Sequence, residues 1–118
     1  MDINTIQLEL EKAVNGADVV YANCAASKAK FARLDAQEKS KLAVLCMKFG
    51  SAGLAENKVT RLALASEEYQ KFLEDLAWAR AEYLSDQSAV SALETKVDLL
   101  RSLNKNYLGE FESTKSFT

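Results

Sequence analysis

Apolar side chains recur three and four residues apart from the start of the chain: Ile3, Ile6, Leu10, Ala13, Ala17, Val20, Cys24, Phe31 and Leu34, with Ser27 the single polar residue on that stripe. This spacing predicts an amphipathic helix. Gly16 falls inside it at a cost of about 1 kcal/mol relative to Ala, but the stripe keeps its phase on both sides, so a bend is expected there and not a break. Asp35-Ala36-Gln37-Glu38 has the form of a capping box, in which Asp35 accepts from a first-turn amide while Glu38 reaches back. The first helix is therefore expected over about 3–34. A second follows over 36–49, with Leu42, Leu45, Cys46 and Phe49 on its apolar side and Gly50 and Gly53 to end it.

Leu54, Val59, Leu62 and Ala63 predict a short helix over 54–65, after which Ser66 offers a cap with Glu67 and Glu68 in the next first turn. The strongest pattern begins here. With Tyr69 as position a of a heptad, the a sites are Tyr69, Leu76, Tyr83, Val90, Val97, Asn104 and Phe111, and the d sites Phe72, Ala79, Asp86, Leu93, Leu100 and Tyr107. All but Asp86 and Asn104 are apolar or aromatic. This predicts one long helix over 67–108, roughly 60 Å at 1.5 Å per residue, and a frayed tail over 109–118.

The apolar surface of that helix is wider than a two-stranded seam needs, with Leu73, Ala77 and Leu84 on one side and Ala92, Leu99 and Leu103 on the other, so more than one partner helix is implied. Asp86 and Asn104 are polar where burial is expected, a device that fixes register or oligomeric state at a cost in stability. The simpler alternative is that the helix loosens and turns at 85–88. The expected fold is all-α: a single domain over 1–118, an antiparallel helical bundle or coiled coil with one long C-terminal helix. Only about 30 residues of first helix are set against that length, so the chain is expected to be a homodimer.

Composition agrees. There is no proline and only four glycines, against about six and eight at average usage. The net charge of -2 and pI near 5.2 give no global pull toward nucleic acid or anionic lipid. The absence of histidine removes the commonest general base and nitrogen ligand. Cys24 and Cys46 lie in apolar helical stretches and read as reduced core thiols. No secretory pattern opens the sequence and no 18-residue apolar run occurs, so a cytoplasmic location, away from membranes, is expected.

Three groups of side chains carry the candidate chemistry. Glu67, Glu68, Glu74, Asp75 and Glu82 share one half of a helix, but carboxylate metal cages in bundles also need a Glu-x-x-His pair, which the chain lacks. A solvated acidic face is the reading, with no metal and no cofactor. Residues 28–48 carry six cations against Asp35 and Glu38; Lys30, Arg33, Lys41 and Lys48 form the candidate patch for phosphates or an acidic partner. The competing reading is a solvated face balancing the acidic helix, since no aromatic residue is interleaved for base stacking. Trp78, among Lys71, Glu74 and Glu82, is a contact hot spot if exposed, or else covers the bundle edge against the 54–65 helix. Trp78, Glu74, Asp75 and Glu82 are thus the candidate partner-binding residues. A phosphate loop is missing and neither thiol has a histidine beside it, so no enzyme is expected.

The stretch from Val59 through Ala65-Ser66-Glu67-Glu68-Tyr69, continuing through Leu73, Leu76 and Ala79-Arg80 to Leu100-Arg101-Ser102, resembles the C-terminal half of small helical accessory proteins encoded by tailed bacteriophages. The resemblance covers residues 59–102 and implies a viral context, a bacterial host cytoplasm and a non-catalytic accessory role. Two function classes follow. One is a protein-interaction module, an adaptor or an inhibitor of a host complex, host-defence inhibitors of the anti-CRISPR kind included. The other is a nucleic-acid-binding accessory protein of phage recombination or replication, using the residue 28–48 patch.

Overall fold

The computed structural model describes residues 2–50, 53 and 55–116, the last seven by backbone alone. Among these residues there are three helices and no strand: α1 over Ile3–Gly50, α2 over Glu56–Ala65 and α3 over Glu67–Ser116. The all-α class is as the hydrophobic spacing requires.

Each boundary has a local cause. Asp2 opens α1, its Oδ1 accepting the Thr5 amide at 2.7 Å, and that hydrogen bond holds the Asp2 carboxyl below the usual carboxylate range. Gly53 sits at a φ of 74° and donates its amide to the Gly50 carbonyl at 3.1 Å, a left-handed turn that suits glycine. Ser66 serves two helices. Its hydroxyl donates to the Ala63 carbonyl at 2.7 Å, closing α2, and accepts the Tyr69 amide at 3.2 Å, opening α3. The expected start of α2 at Leu54 lies outside the described residues; the helix is present from Glu56.

Two expected boundaries are absent, at Asp35 and at Gly109, and the alternative break at 85–88 does not occur. α1 runs through Gly16 and through the Asp35 box, so the separate helices expected over 3–34 and 36–49 are one. The reason is long-range. Continuing the first stripe in phase gives Glu38, Lys41 and Leu45, all at least half-buried, whereas Asp35 is exposed. A break at Asp35 would forfeit the stacking of Phe31 on Tyr83, at 6.1 Å between ring centres, and the bond from the Tyr69 hydroxyl to Glu38 Oε1. Asp within a helix costs under about 1 kcal/mol, less than the packing gained. α3 likewise runs through 85–88, with Asp86 half-buried in the seam, and through Gly109 to Ser116, where a frayed tail was expected.

The chain divides into two compact units, Met1–Cys24 with Asp86–Thr118 and Ala25–Ser85. In the first unit α1 and α3 run antiparallel. Gln7 Nε2 reaches Asn104 Oδ1 at 3.5 Å, Glu9 pairs with Lys96 at 3.5 Å, and the Tyr21 hydroxyl donates to Glu94 Oε1 at 2.9 Å. Ile6, Ala13 and Leu100 are buried there. In the second unit the same two helices are again antiparallel, with Lys30 against Glu82 and Lys48 against Glu68. Leu45, Ala63 and Tyr69 form its core, surrounded by Leu42, Cys46, Phe49, Phe72 and Leu73, so α2 makes a third helix on one side of the pair.

Every a and d residue of α3 from Tyr69 to Asn104 is buried or half-buried, and Tyr107 is exposed; the Phe111 side chain lies outside the described residues. The predicted seam is thus filled by α1 of the same chain. Its 48 residues, in place of the 30 expected, remove the shortage on which the homodimer expectation rested.

Candidate protein-interaction surface

With the seam and α2 accounted for, the two sides of the α1/α3 pair differ. Give α1 heptad letters with Ile3 as a. The e side then holds the Tyr21–Glu94 contact and, in the second unit, Leu42, Phe49 and Leu73 beneath α2. The opposite g and c side holds Glu9–Lys96 in the first unit and Lys30–Glu82 in the second, the pairing of like-lettered flanks that an antiparallel coiled coil produces.

The most exposed large apolar residues lie on that g and c side. They are Val44 at 61%, Met47 at 76% and Trp78 at 70% exposure in the second unit, and Val19 at 63% and Leu99 at 59% in the first. In the second unit a groove of about 520 Å³ opens between the helices on this side, lined by Leu34, Lys41, Val44, Phe72 and Asp75 among others. A smaller groove of about 380 Å³ lies on the e side of the first unit, between Val14, Ala17 and Tyr21 of α1 and Val97 and Arg101 of α3.

Of the residues singled out from the sequence, Trp78 is exposed and does not cover an edge against α2, because α2 packs on the other side. Glu74 is exposed beside it. Asp75 pairs with Lys71 at 3.2 Å and raises the lysine above its usual range by that contact. Glu82 pairs with Lys30 at 3.8 Å. The four cations lie on one helix, without the turn expected to gather them, and two of them meet carboxylates of α3. Lys48 approaches Glu68 at 2.6 Å, and its hydrogen bond, its charge and the more distant Lys41 hold Glu68 below the usual carboxylate range. Arg33 is exposed and Lys41 half-buried. Two of the four candidate cations thus belong to cross-helix ion pairs, each worth little in water.

Cys24 and Cys46 are half-buried thiols without a disulfide, and Cys46 packs against the Leu45 core. Among the described residues no group of three or more His, Cys, Asp or Glu side chains is placed to hold a metal ion. No helix among them is long and apolar enough to cross a membrane. Sequence reasoning did not single out Val19, Val44 and Met47, and it took Leu99 as cover for a further helix. Their signal was position: each falls beside the seam, which becomes countable for Val44 and Met47 only once α1 is known to continue past Asp35. No protein-family model, curated protein or solved structure matches the chain.

Proposed function

We propose that this chain is a non-catalytic protein-interaction module, an adaptor or inhibitor that works by covering part of another protein, in keeping with its resemblance to phage accessory proteins acting in a bacterial cytoplasm. The observation that carries the reading is the exposure of Trp78 together with Val44 and Met47 on one side of an already filled seam. Trp is enriched among the residues that dominate binding energy, and an apolar group beside charged neighbours is the usual composition of an interface centre and rim. The nucleic-acid alternative draws on Lys30, Arg33, Lys41 and Lys48, and the pairing of Lys30 and Lys48 with Glu82 and Glu68 offsets two of those four charges.

Affinity capture of the tagged chain from its native host, followed by mass spectrometry, tests the reading. A protein recovered with the wild type is expected to be lost with Trp78→Glu at unchanged melting temperature. Recovery of the same protein by Trp78→Glu, or of nothing but nucleic acid, would count against it.

A further inference from the structure

The e positions of α1 follow a rule with one exception. Where that side of the helix is open they are polar and exposed, as at Gln7, Lys28 and Asp35. Where α2 covers it they are apolar and half-buried, as at Leu42 and Phe49. The exception lies in the first unit, where Val14 and Tyr21 are apolar yet 50% and 46% exposed, with no third helix over them. They stand two turns apart, about 10 Å at 1.5 Å per residue, on one rim of a groove of about 380 Å³ that Ala17, Leu93 and Val97 also line. Apolar side chains at this position are what a third helix covers in the second unit. The charges around the groove are uneven along its length. Gln7 against Asn104 and Tyr21 against Glu94 fix the register of the two helices, which sets Glu11 level with Arg101 and Asp18 level with Asp98. The first level is balanced. At the second, Asp18 and Asp98 flank the groove from opposite helices, and neither pairs with a cation among the described residues. Glu94 adds a third carboxylate there, and the bond it accepts comes from a neutral phenol, which leaves its charge in place.

We propose that the groove of the first unit holds an amphipathic helix of another protein, apolar along two turns and carrying Lys or Arg where it passes between Asp18 and Asp98. Helix-in-groove recognition reads such anchors three and four residues apart, and the unpaired carboxylates select a cationic partner over an anionic one. α2 of a second copy does not meet this description, because its apolar residues Val59 and Ala63 are already buried in their own unit. The contact goes beyond the Trp78 reading and does not depend on it. Two turns of helix bury far less than a standard interface, so the affinity of this contact alone is on the order of 100 µM.

The probe is a labelled synthetic peptide of about 14 residues with Leu three and four positions apart and Lys between, titrated with the full chain at about 0.15 M salt. Anisotropy reports binding, and circular dichroism reports the helix gained. The peptide is expected to bind and become helical. An isomer of the same composition with the Leu stripe scrambled, and a counterpart with Glu in place of Lys, are expected not to bind. Replacing Asp18→Lys and Asp98→Lys together should weaken the Lys peptide about tenfold and admit the Glu counterpart. Both side chains are exposed, so melting temperature should not change. Val14→Ser leaves the charges alone and should weaken binding about fivefold by removing apolar contact. Trp78, the single Trp of the chain, should keep its quenching by iodide when the peptide binds. Equal binding of the scrambled isomer overturns the proposal, as does no binding at about 1 mM. Affinity indifferent to the double reversal or to Val14→Ser also overturns it, as does a peptide that shields Trp78 from iodide.

Discussion

Ser66 is the residue with the most structural duties for its size. One hydroxyl ends α2 and begins α3, so Ser66→Ala leaves two helix ends unsatisfied at once. A loss of about 1 kcal/mol or somewhat more is expected in urea denaturation, and an unchanged midpoint would show that water replaces both bonds. Tyr21 makes a second prediction through its titration. Its bond to Glu94 holds the phenol above its ordinary value of 10.0, and burial, followed by Glu38, does the same for Tyr69. A raised folded value means that the neutral phenol is favoured in the native state. The contribution is whole below pH 10 and is lost as pH rises through the higher folded values. Melting temperature should therefore fall above pH 10, and Tyr21→Phe should flatten that fall. The carboxyls of Asp2 and Glu68 act in the opposite direction. Both are held low, so their contribution is present above the ordinary carboxylate range and is lost as pH falls through the folded values.

At the scale of elements, sequence pattern and structure agree where many positions vote together and part where a local signal competes with packing. The α3 seam was legible because its period continues over six heptads, and its a and d residues from Tyr69 to Asn104 are covered in the structure. The capping box at Asp35 and the glycine at Gly109 are good local stop signals, each worth about 1 kcal/mol. Nothing in the neighbouring sequence reveals that Glu38 would bond Tyr69, 31 residues away. The exposure of Trp78 was illegible for the same reason: it depends on which side α2 takes. Leu45 is the test of packing here, being 2% exposed at the centre of the second unit's core. Leu45→Ala should cost about 2–5 kcal/mol and lower the urea midpoint accordingly. Asp86→Leu should do the reverse. A carboxylate in a seam costs stability that an apolar side chain recovers, and a gain of about 1 kcal/mol is expected; a loss would mean that Asp86 holds an interaction the seam depends on.

For the molecule as a whole, the balance of charge bears on the choice between protein and nucleic-acid partners. With two of the four candidate cations offset by carboxylates of α3, few phosphates are left to neutralise, and binding to single- or double-stranded DNA should be weak at about 0.15 M salt. Sub-micromolar affinity at that salt, lost when Lys30, Arg33, Lys41 and Lys48 are all replaced by Ala, would reverse the preference. The central proposal is that this chain acts through exposed surface residues and not through a reactive group. Alanine scanning in the cellular assay that reports its activity tests this most directly, with melting temperature recorded for every variant. Loss is expected on replacing Trp78, Val44 and Met47 together, and single replacements of Glu74, Asp75, Glu82, Cys24 or Cys46 should be tolerated wherever folding is intact. One carboxylate or thiol whose removal abolishes activity while binding and melting temperature stay unchanged would contradict the account.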